Sequence, residues 1–405
     1  MKHRYLNTLT TIIILFSFTG CSKNNEDNNT DIEKKPVIYT SDQFCMGADL
    51  SYVNQIEDHG GVYKDSGNLR DPYHIFKNHG ANTIRLRLWH TPAWTKEIYG
   101  ASGTQLYSDL RDVEESMKRA KDLGMEVCLD IHYSDTWADP GNQKPPAAWK
   151  DITDMNVLKD SVYQYTFKTL NHLNSQGLMP EMVQIGNEIN CGMLVTETLQ
   201  GFPDLNACNG KWKNLGDVIN EGIRAVREVS AQSGMNTWII LHVADPKNAE
   251  WWFDNITTSG GVSDFDVVGF SYYPLWHTTI SYYNITTTVA ELKTRYQKKV
   301  MILETAYPWT KDNADSYGNL FFNQNPVSGF SFTQEGQKDF LVDMTQQLIS
   351  VGLNGVIYWE PAWISSQMKD PWGTGSSWEN CTFFDFEGNT LPSIDYMTYP
   401  YLFPQ

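Results

Sequence analysis

Eight apolar runs of strand length recur along this chain, and most of the intervals between them hold residues whose apolar positions return at helical spacing. The runs are residues 44–49, 83–89, 126–132, 182–188, 238–243, 265–273, 299–304 and 356–360. Helical stretches fall at 71–79, opened by Asp71-Pro72, at 109–123, stopped by Gly124, and at 159–174, 215–230, 289–297 and 333–350;. Strands that alternate with helices must be joined by crossovers, which makes their pairing parallel, and eight such units close on themselves. The pattern predicts the α/β class and a single (β/α)8 TIM barrel with long βα loops, over 41–405. No change of composition after residue 40 marks a second domain, and no internal repeat is present beyond the alternation itself.

The start of the chain is of another kind. Lys2, His3 and Arg4 precede an apolar segment at 11–18 that is too short for a permanent span and suits a signal peptide;. Thr19, Gly20 and Cys21 resemble a bacterial lipobox, although Phe18 is a looser fit than the usual Leu. The expectation is a leader over 1–20, lipidation at Cys21 and a polar tether over 21–40. The protein would then be an exported, membrane-anchored lipoprotein of a Gram-negative bacterium, at the cell surface or in the periplasm. Ordinary secretion with cleavage nearby is the weaker alternative.

The net charge is −17, and no basic run is present to neutralise phosphates;. Nucleic acid is therefore excluded as a partner and a neutral ligand is favoured, with a monomer expected. Of six cysteines, Cys45 and Cys128 sit in strand runs as small hydrophobes. Cys191 and Cys208 are able to close one loop in an oxidising compartment, though their spacing does not by itself decide it. No CxxC or HExxH occurs, so zinc has no support.

The residues at the carboxyl end of each strand define one rim of the barrel, where such folds place their chemistry. Those positions hold Asp49, Arg87 with Trp89, His132, Asn187 with Glu188, His242, Tyr272 with Tyr273, Glu304, and Trp359 with Glu360. Two of the runs, MVQIGNE and KVMILE, each end in a glutamate, and paired carboxylates across a cleft are what glycoside hydrolysis requires. Residues 83–89 alternate with period two and place Arg85 and Arg87 on one face. Inside a barrel these arginines must find partners at the mouth; otherwise this strand is an edge. The rim loops also hold Trp94, Trp137, Trp276, Trp309, Trp363 and Trp372, and indole faces suit the C–H faces of sugars;. Roughly half of these are expected to be structural anchors instead.

The segments TIRLRLWHTP, LDIHYSDTWADPGNQ, PAAW, QIGNEIN, GFSYYPLW, ILETAYPW and YWEPAW together resemble glycoside hydrolase family 53, the arabinogalactan endo-β-1,4-galactanases. The resemblance runs from about residue 44 to the C-terminus, and the SDTWADP block is its most specific part. It implies a retaining endo-acting hydrolase of β-1,4-galactan that releases galacto-oligosaccharides. Glu188 would be the general acid/base and Glu304 the nucleophile, with carboxyl groups about 5–5.5 Å apart. Arg87, with Arg85, would lie below the nucleophile, and Tyr272 or Tyr273 would donate a hydrogen bond to it. Asn187 would bind the sugar 2-hydroxyl. Asp49, Arg87, His132, Asp135, Trp137, His242, Tyr272, Tyr273, Trp359 and Trp363 complete the expected substrate contacts, while Glu360 anchors a loop or bonds a sugar.

No cofactor is required by such a reaction. Some bacterial relatives hold structural calcium in the loops after strands seven and eight, and Asp312, Asp315 and Asn319 offer oxygen ligands there. Their spacing is no EF-hand, and a solvated acidic loop is the preferred reading. These loops depart from the family pattern, so the length of the cleft is not fixed by the resemblance. Two alternatives remain open: another barrel β-glycanase acting on mannan or xylan, and a surface lipoprotein that binds glycan without turnover. Two mutually repelling glutamates count against the second.

Overall fold

A parallel strand covered on both faces must be largely apolar on both, and the runs that meet this condition pair with one another. In the computed structural model of the chain, which describes residues 35–404, eight strands form a closed barrel. They are β1 (Cys45–Asp49), β2 (Thr83–Leu88), β3 (Glu126–Ile131), β4 (Met182–Ile185), β5 (Trp238–Ala244), β6 (Val267–Ser271), β7 (Lys299–Thr305) and β8 (Gly355–Tyr358). Neighbours are parallel throughout, and β1 closes the ring by pairing with both β2 and β8. Closure disposes of the edge-strand alternative for residues 83–89.

Each connection between successive strands carries an α-helix. Asp71 caps the helix Pro72–Asn78 by accepting from the His74 amide at 3.1 Å, and Thr333 caps Gln334–Ser350 at the Gly336 amide;. The helix Met155–Ser175 starts earlier than its periodicity predicts, because Asp154 accepts from the amides of Asn156 and Val157. The helix Ala249–Thr258 has no counterpart in the periodicity, since its AEWWFDNITT sequence lacks a clean polar face. After β8 the outer layer is completed by 3-10 turns at Pro392–Thr398 instead of an α-helix.

Two apolar layers result. Between sheet and helices lies the main core, whereas the barrel interior is filled by Cys45, Cys128, Met182, Ile240, Val267, Met301, Leu303 and Ile357. Period-two alternation then brings Asp130, Gln184 and His242 onto the same inward face one step above Cys128, Met182 and Ile240. With Asp49 and Arg85 they form a fully buried polar layer beneath the carboxyl ends of the strands. That layer is the floor on which the site is built.

The leader, Cys21 and most of the tether lie outside the described residues. The end of the tether is corrected, since the Val37 amide donates to the Thr398 carbonyl at 2.8 Å and Tyr39 is buried, its hydroxyl bonded to the Tyr399 carbonyl. Residues 37–40 thus belong to the barrel domain.

Cys191 and Cys208 form a disulfide across the loop that follows β4, while Cys45, Cys128 and Cys381 are free and buried. A crosslink of this span removes denatured-state entropy worth about 3 kcal/mol. Cys191→Ser should therefore lower the urea midpoint by an amount corresponding to about 2–4 kcal/mol; an unchanged midpoint would show that the crosslink contributes nothing to the fold.

Candidate active site

The chain leaves β4 through Gly186 at φ 80° and places Glu188 in the left-handed region, at φ 46°. Only a surrounding structure that over-determines the turn holds a glutamate there. The turn aims Glu188 across the mouth of the barrel. From the far side β7 presents Glu304 one residue before its end, and one carboxylate oxygen of each, together with a ring nitrogen of His242, lie within 4.8 Å of one another. This trio is no metal site, because both His242 nitrogens are engaged: Nε2 with Ser271 at 2.9 Å, and Nδ1 with Asn187 and Gln184.

The two carboxyl groups have unlike surroundings. Glu304 accepts from the Tyr273 hydroxyl at 2.9 Å through Oε2, and its Oε1 lies 2.9 Å from Nη1 of Arg85. Glu188 meets no cation and accepts from the Ser271 hydroxyl at 2.6 Å. Burial raises both pKa values, and Glu304 repels charge on Glu188, whose carboxyl is held well above the ordinary range;. Arg85 and Tyr273 oppose the rise at Glu304. The surroundings of the pair therefore favour the negative charge on Glu304 over Glu188;.

Arg85 is the hub of the floor. Its guanidinium reaches Asp49 at 2.9 Å, Asp130 at 2.8 Å, Asn187 Oδ1 at 2.8 Å and Glu304 at 2.9 Å. A fully buried guanidinium needs such a complete set of partners. Asp130 in turn holds His132 Nε2 at 2.9 Å and accepts from Gln184 at 2.5 Å. Burial lowers the pKa of His132 and, more strongly, that of His242, so both imidazoles are neutral.

Several expectations are corrected by this geometry. Arg85, not Arg87, contacts Glu304. Arg87 pairs with the fully buried Glu360 at 3.2 Å and is caged by the rings of Tyr52, Trp89 and Trp137, the last only 3.9 Å from its guanidinium carbon. Glu360 is accordingly an anchor. Tyr273 is the donor to Glu304, whereas Tyr272 is buried with its hydroxyl 3.5 Å from the Ile280 carbonyl, away from the cleft. Asp49, His132 and His242 lie in the floor and are bound by protein partners, which leaves them beneath the substrate surface. Asp135 accepts from the amides of Thr91 and Ala147 and so ties two loops together. Asp315 is engaged by the amides of Tyr317 and Ser376 and by Ser365, and Asn319 by Asn313 and Asn380, so both tie the loop after β7 to the loop after β8; Asp312 is exposed.

The cleft surface is made by other groups. A cavity of about 350 Å³ contains Asn187, Glu188, Tyr273 and Glu304, walled by Trp137, Trp276 and Trp359. It adjoins a second of about 480 Å³, lined by Tyr52, Trp363, Asp370 and Trp372 and sharing Trp137, Asp139, Leu320 and Trp359 with the first. Trp94 and Trp309 are anchors, their indole N–H groups bonded to the carbonyls of Asp135 and Glu379. Ser271, Gln184 and Asp130 are site residues that the strand-end pattern passes over. Gln184 and Asp130 sit one residue before the ends of β4 and β3 and Ser271 is the last residue of β6, all on the inward side of the alternation, and that phase is the signal that finds them.

A profile of Glycosyl hydrolase family 53 matches residues 45–397. The chain is similar to an arabinogalactan endo-β-1,4-galactanase of Cellvibrio japonicus (strain Ueda107), with 44% identity covering 87% of this chain and 89% of the relative. It is 32% identical to an endo-β-1,4-galactanase of Bacillus subtilis (strain 168), covering 91% and 89%. Among solved structures it resembles the Ignisphaera aggregans GH53 catalytic domain, at TM-score 0.77 and 33% identity, over 91% of this chain and 100% of that one. A barrel whose fourth and seventh strands deliver opposed glutamates, matched to one profile over nearly all of its described length, leaves one assignment: the chain belongs to glycosyl hydrolase family 53.

Proposed function

We propose that this protein is a retaining endo-β-1,4-galactanase that cuts the galactan side chains of pectic arabinogalactan into galacto-oligosaccharides. The observation that carries the reading is the approach of Glu188 and Glu304 in one cleft with unlike partners. Glu304, beside Arg85 and Tyr273, attacks the anomeric carbon; Glu188 protonates the departing glycosidic oxygen. A galactosyl–Glu304 ester forms as the C1–O bond breaks. Glu188, now ionised, takes a proton from water, which attacks C1 and releases Glu304. Asn187, in the lining of the same cavity, bonds the 2-hydroxyl, and no cofactor enters either step. A trough that continues past the reacting pair into the Trp372 cavity suits internal cutting of a polymer.

The unlike carboxyls also set the sign of the pH response. Activity requires Glu188 protonated, so it falls as pH rises through the raised pKa of that group. It also falls at low pH, as Glu304 gains a proton.

Glu188→Ala should slow galactan cleavage by about 10²–10⁴-fold. Added azide should then restore turnover and give a β-galactosyl azide, since the anion attacks C1 from the side the base has vacated. An α-azide, or full activity without azide, would refute the assignment. Parallel digests of mannan and xylan by the unsubstituted enzyme should yield no oligomers, and early mixed oligomers from galactan mark endo action.

A further inference from the structure

Behind the reacting pair lie two buried polar side chains for which the hydrolytic steps give no task, Ser271 at the end of β6 and His242 on β5. Both are fully buried. The sheet sets their places: Ala244 of β5 is opposite Ser271, and Ser271 is opposite Glu304 of β7. Ser271 Oγ lies 2.6 Å from Glu188 Oε1 and 2.9 Å from His242 Nε2.

A hydroxyl has one proton to give. If it goes to Glu188, the oxygen must itself receive a proton from His242, and the surroundings of the imidazole supply that tautomer. The Glu188 backbone N–H, whose direction the chain fixes, points at Nδ1 from 3.4 Å, whereas the two protons of Gln184 Nε2, 3.1 Å away, have nearer acceptors in Asp130 and the Gly186 carbonyl. Asn187 Oδ1 also lies 2.9 Å from Nδ1 and takes the Arg85 Nη2 proton at 2.8 Å with one of its lone pairs, so the tautomer is read from the fixed Glu188 N–H;. The imidazole is neutral, so its single proton falls on Nε2.

We infer that Ser271 and His242 are positioning residues that form a one-way donor chain, His242 Nε2–H to Ser271 Oγ–H to Glu188 Oε1, which reserves Glu188 Oε2 for the proton exchanged with the glycosidic oxygen. The inference rests on Glu188 being the acid/base. A donor aimed at Oε1 keeps the acidic proton off that oxygen. The same donor serves both halves of the reaction, because Oε1 accepts whether Glu188 is a carboxylic acid or a carboxylate. It also favours the carboxylate, against the burial and the charges of Glu304 and Asp139 that oppose ionisation and alongside Arg85, which assists it. Tyr273, two residues beyond Ser271, contacts Glu304 instead.

The test compares pH profiles of kcat/KM on galactan for the unsubstituted enzyme, Ser271→Ala and Ser271→Thr. Loss of the donor destabilises ionised Glu188, so its pKa rises and the basic limb of Ser271→Ala should move to higher pH by about one pH unit. The acidic limb, set by Glu304, should stay in place, and Ser271→Thr, which keeps a hydroxyl, should restore the basic limb. A basic limb that does not move in Ser271→Ala, or that moves equally in Ser271→Thr, overturns the chain. A measurement on the unsubstituted enzyme stands whatever the variants do: with ¹⁵N-labelled histidine, two-bond proton–nitrogen correlations should show His242 protonated at Nε2, and a proton on Nδ1 overturns it. Glu188→Ala separates the two readings. If that variant retains galactan cleavage, the acid/base assignment is what fails; if it loses cleavage while Ser271→Ala shifts nothing, only the donor chain falls.

Discussion

Glu304→Gln should lower kcat on galactan by about 10⁴–10⁶-fold while the protein stays folded. The amide matches the carboxylate in shape; its one oxygen still accepts from Tyr273 while its NH2 replaces the oxygen that faced Arg85, which keeps Asp49 and Asp130 as partners;. What it lacks is the charge and the nucleophilicity needed to form an ester with C1. Because the shape of the cleft survives and the lost Arg85 contact lies in its floor, KM should change far less than kcat, and oligosaccharide affinity measured by calorimetry should stay within about tenfold of the parent;. A variant that turned over galactan at more than a tenth of the parental rate would remove Glu304 from the reaction and leave the opposed carboxylates unexplained.

Arg85→Met should be the most destabilising single change in the barrel. The guanidinium is fully buried and shared by Asp49, Asp130 and Glu304. Methionine fills much of the stem volume but leaves these carboxylates without a counter-ion in a dry layer, at a cost of about 3–5 kcal/mol. Urea unfolding at neutral pH measures the loss. Its pH dependence identifies the cause. Without Arg85 the folded-state pKa values of these carboxyls rise above their unfolded values, so the folded variant binds the extra protons and its deficit shrinks as pH falls toward the unfolded carboxyl range. A deficit below about 1 kcal/mol, or one that grows on acidification, would mean that the floor is not held together by this charge. Arg85→Lys should recover only part of the loss, since one ammonium cannot reproduce the fork that meets four partners.

The architecture is legible in the sequence because parallel strands covered on both faces must announce themselves as apolar runs, and all eight do. The two glutamates are legible for the same reason, as charges at the points where such runs break. The layer beneath is harder to see. Asp130, Gln184 and Ser271 read as ordinary interruptions of a strand until closure shows that they face one another. Which arginine serves Glu304 is equally hidden, for Arg85 and Arg87 share one face of β2 and differ only in height. Height is set by the stagger of the barrel, and Asp49 opposite Arg85 records it. Tyr272 and Tyr273 pose the complementary problem: adjacent residues take opposite faces, and the phase at the strand's end decides between them.

The cage around Arg87 has a bearing on how a polymer is met. The indole of Trp137 lies over that guanidinium and against the rings of Tyr52, Trp89 and Trp359 before any sugar arrives. Its rotamer is thus held by protein contacts alone, and under the proposed function a hexose settling on it would not have to order the ring as well;. Loosening the cage from below, without touching the ring, should register as a slower and less enthalpic capture of oligosaccharide, with the scissile step itself untouched.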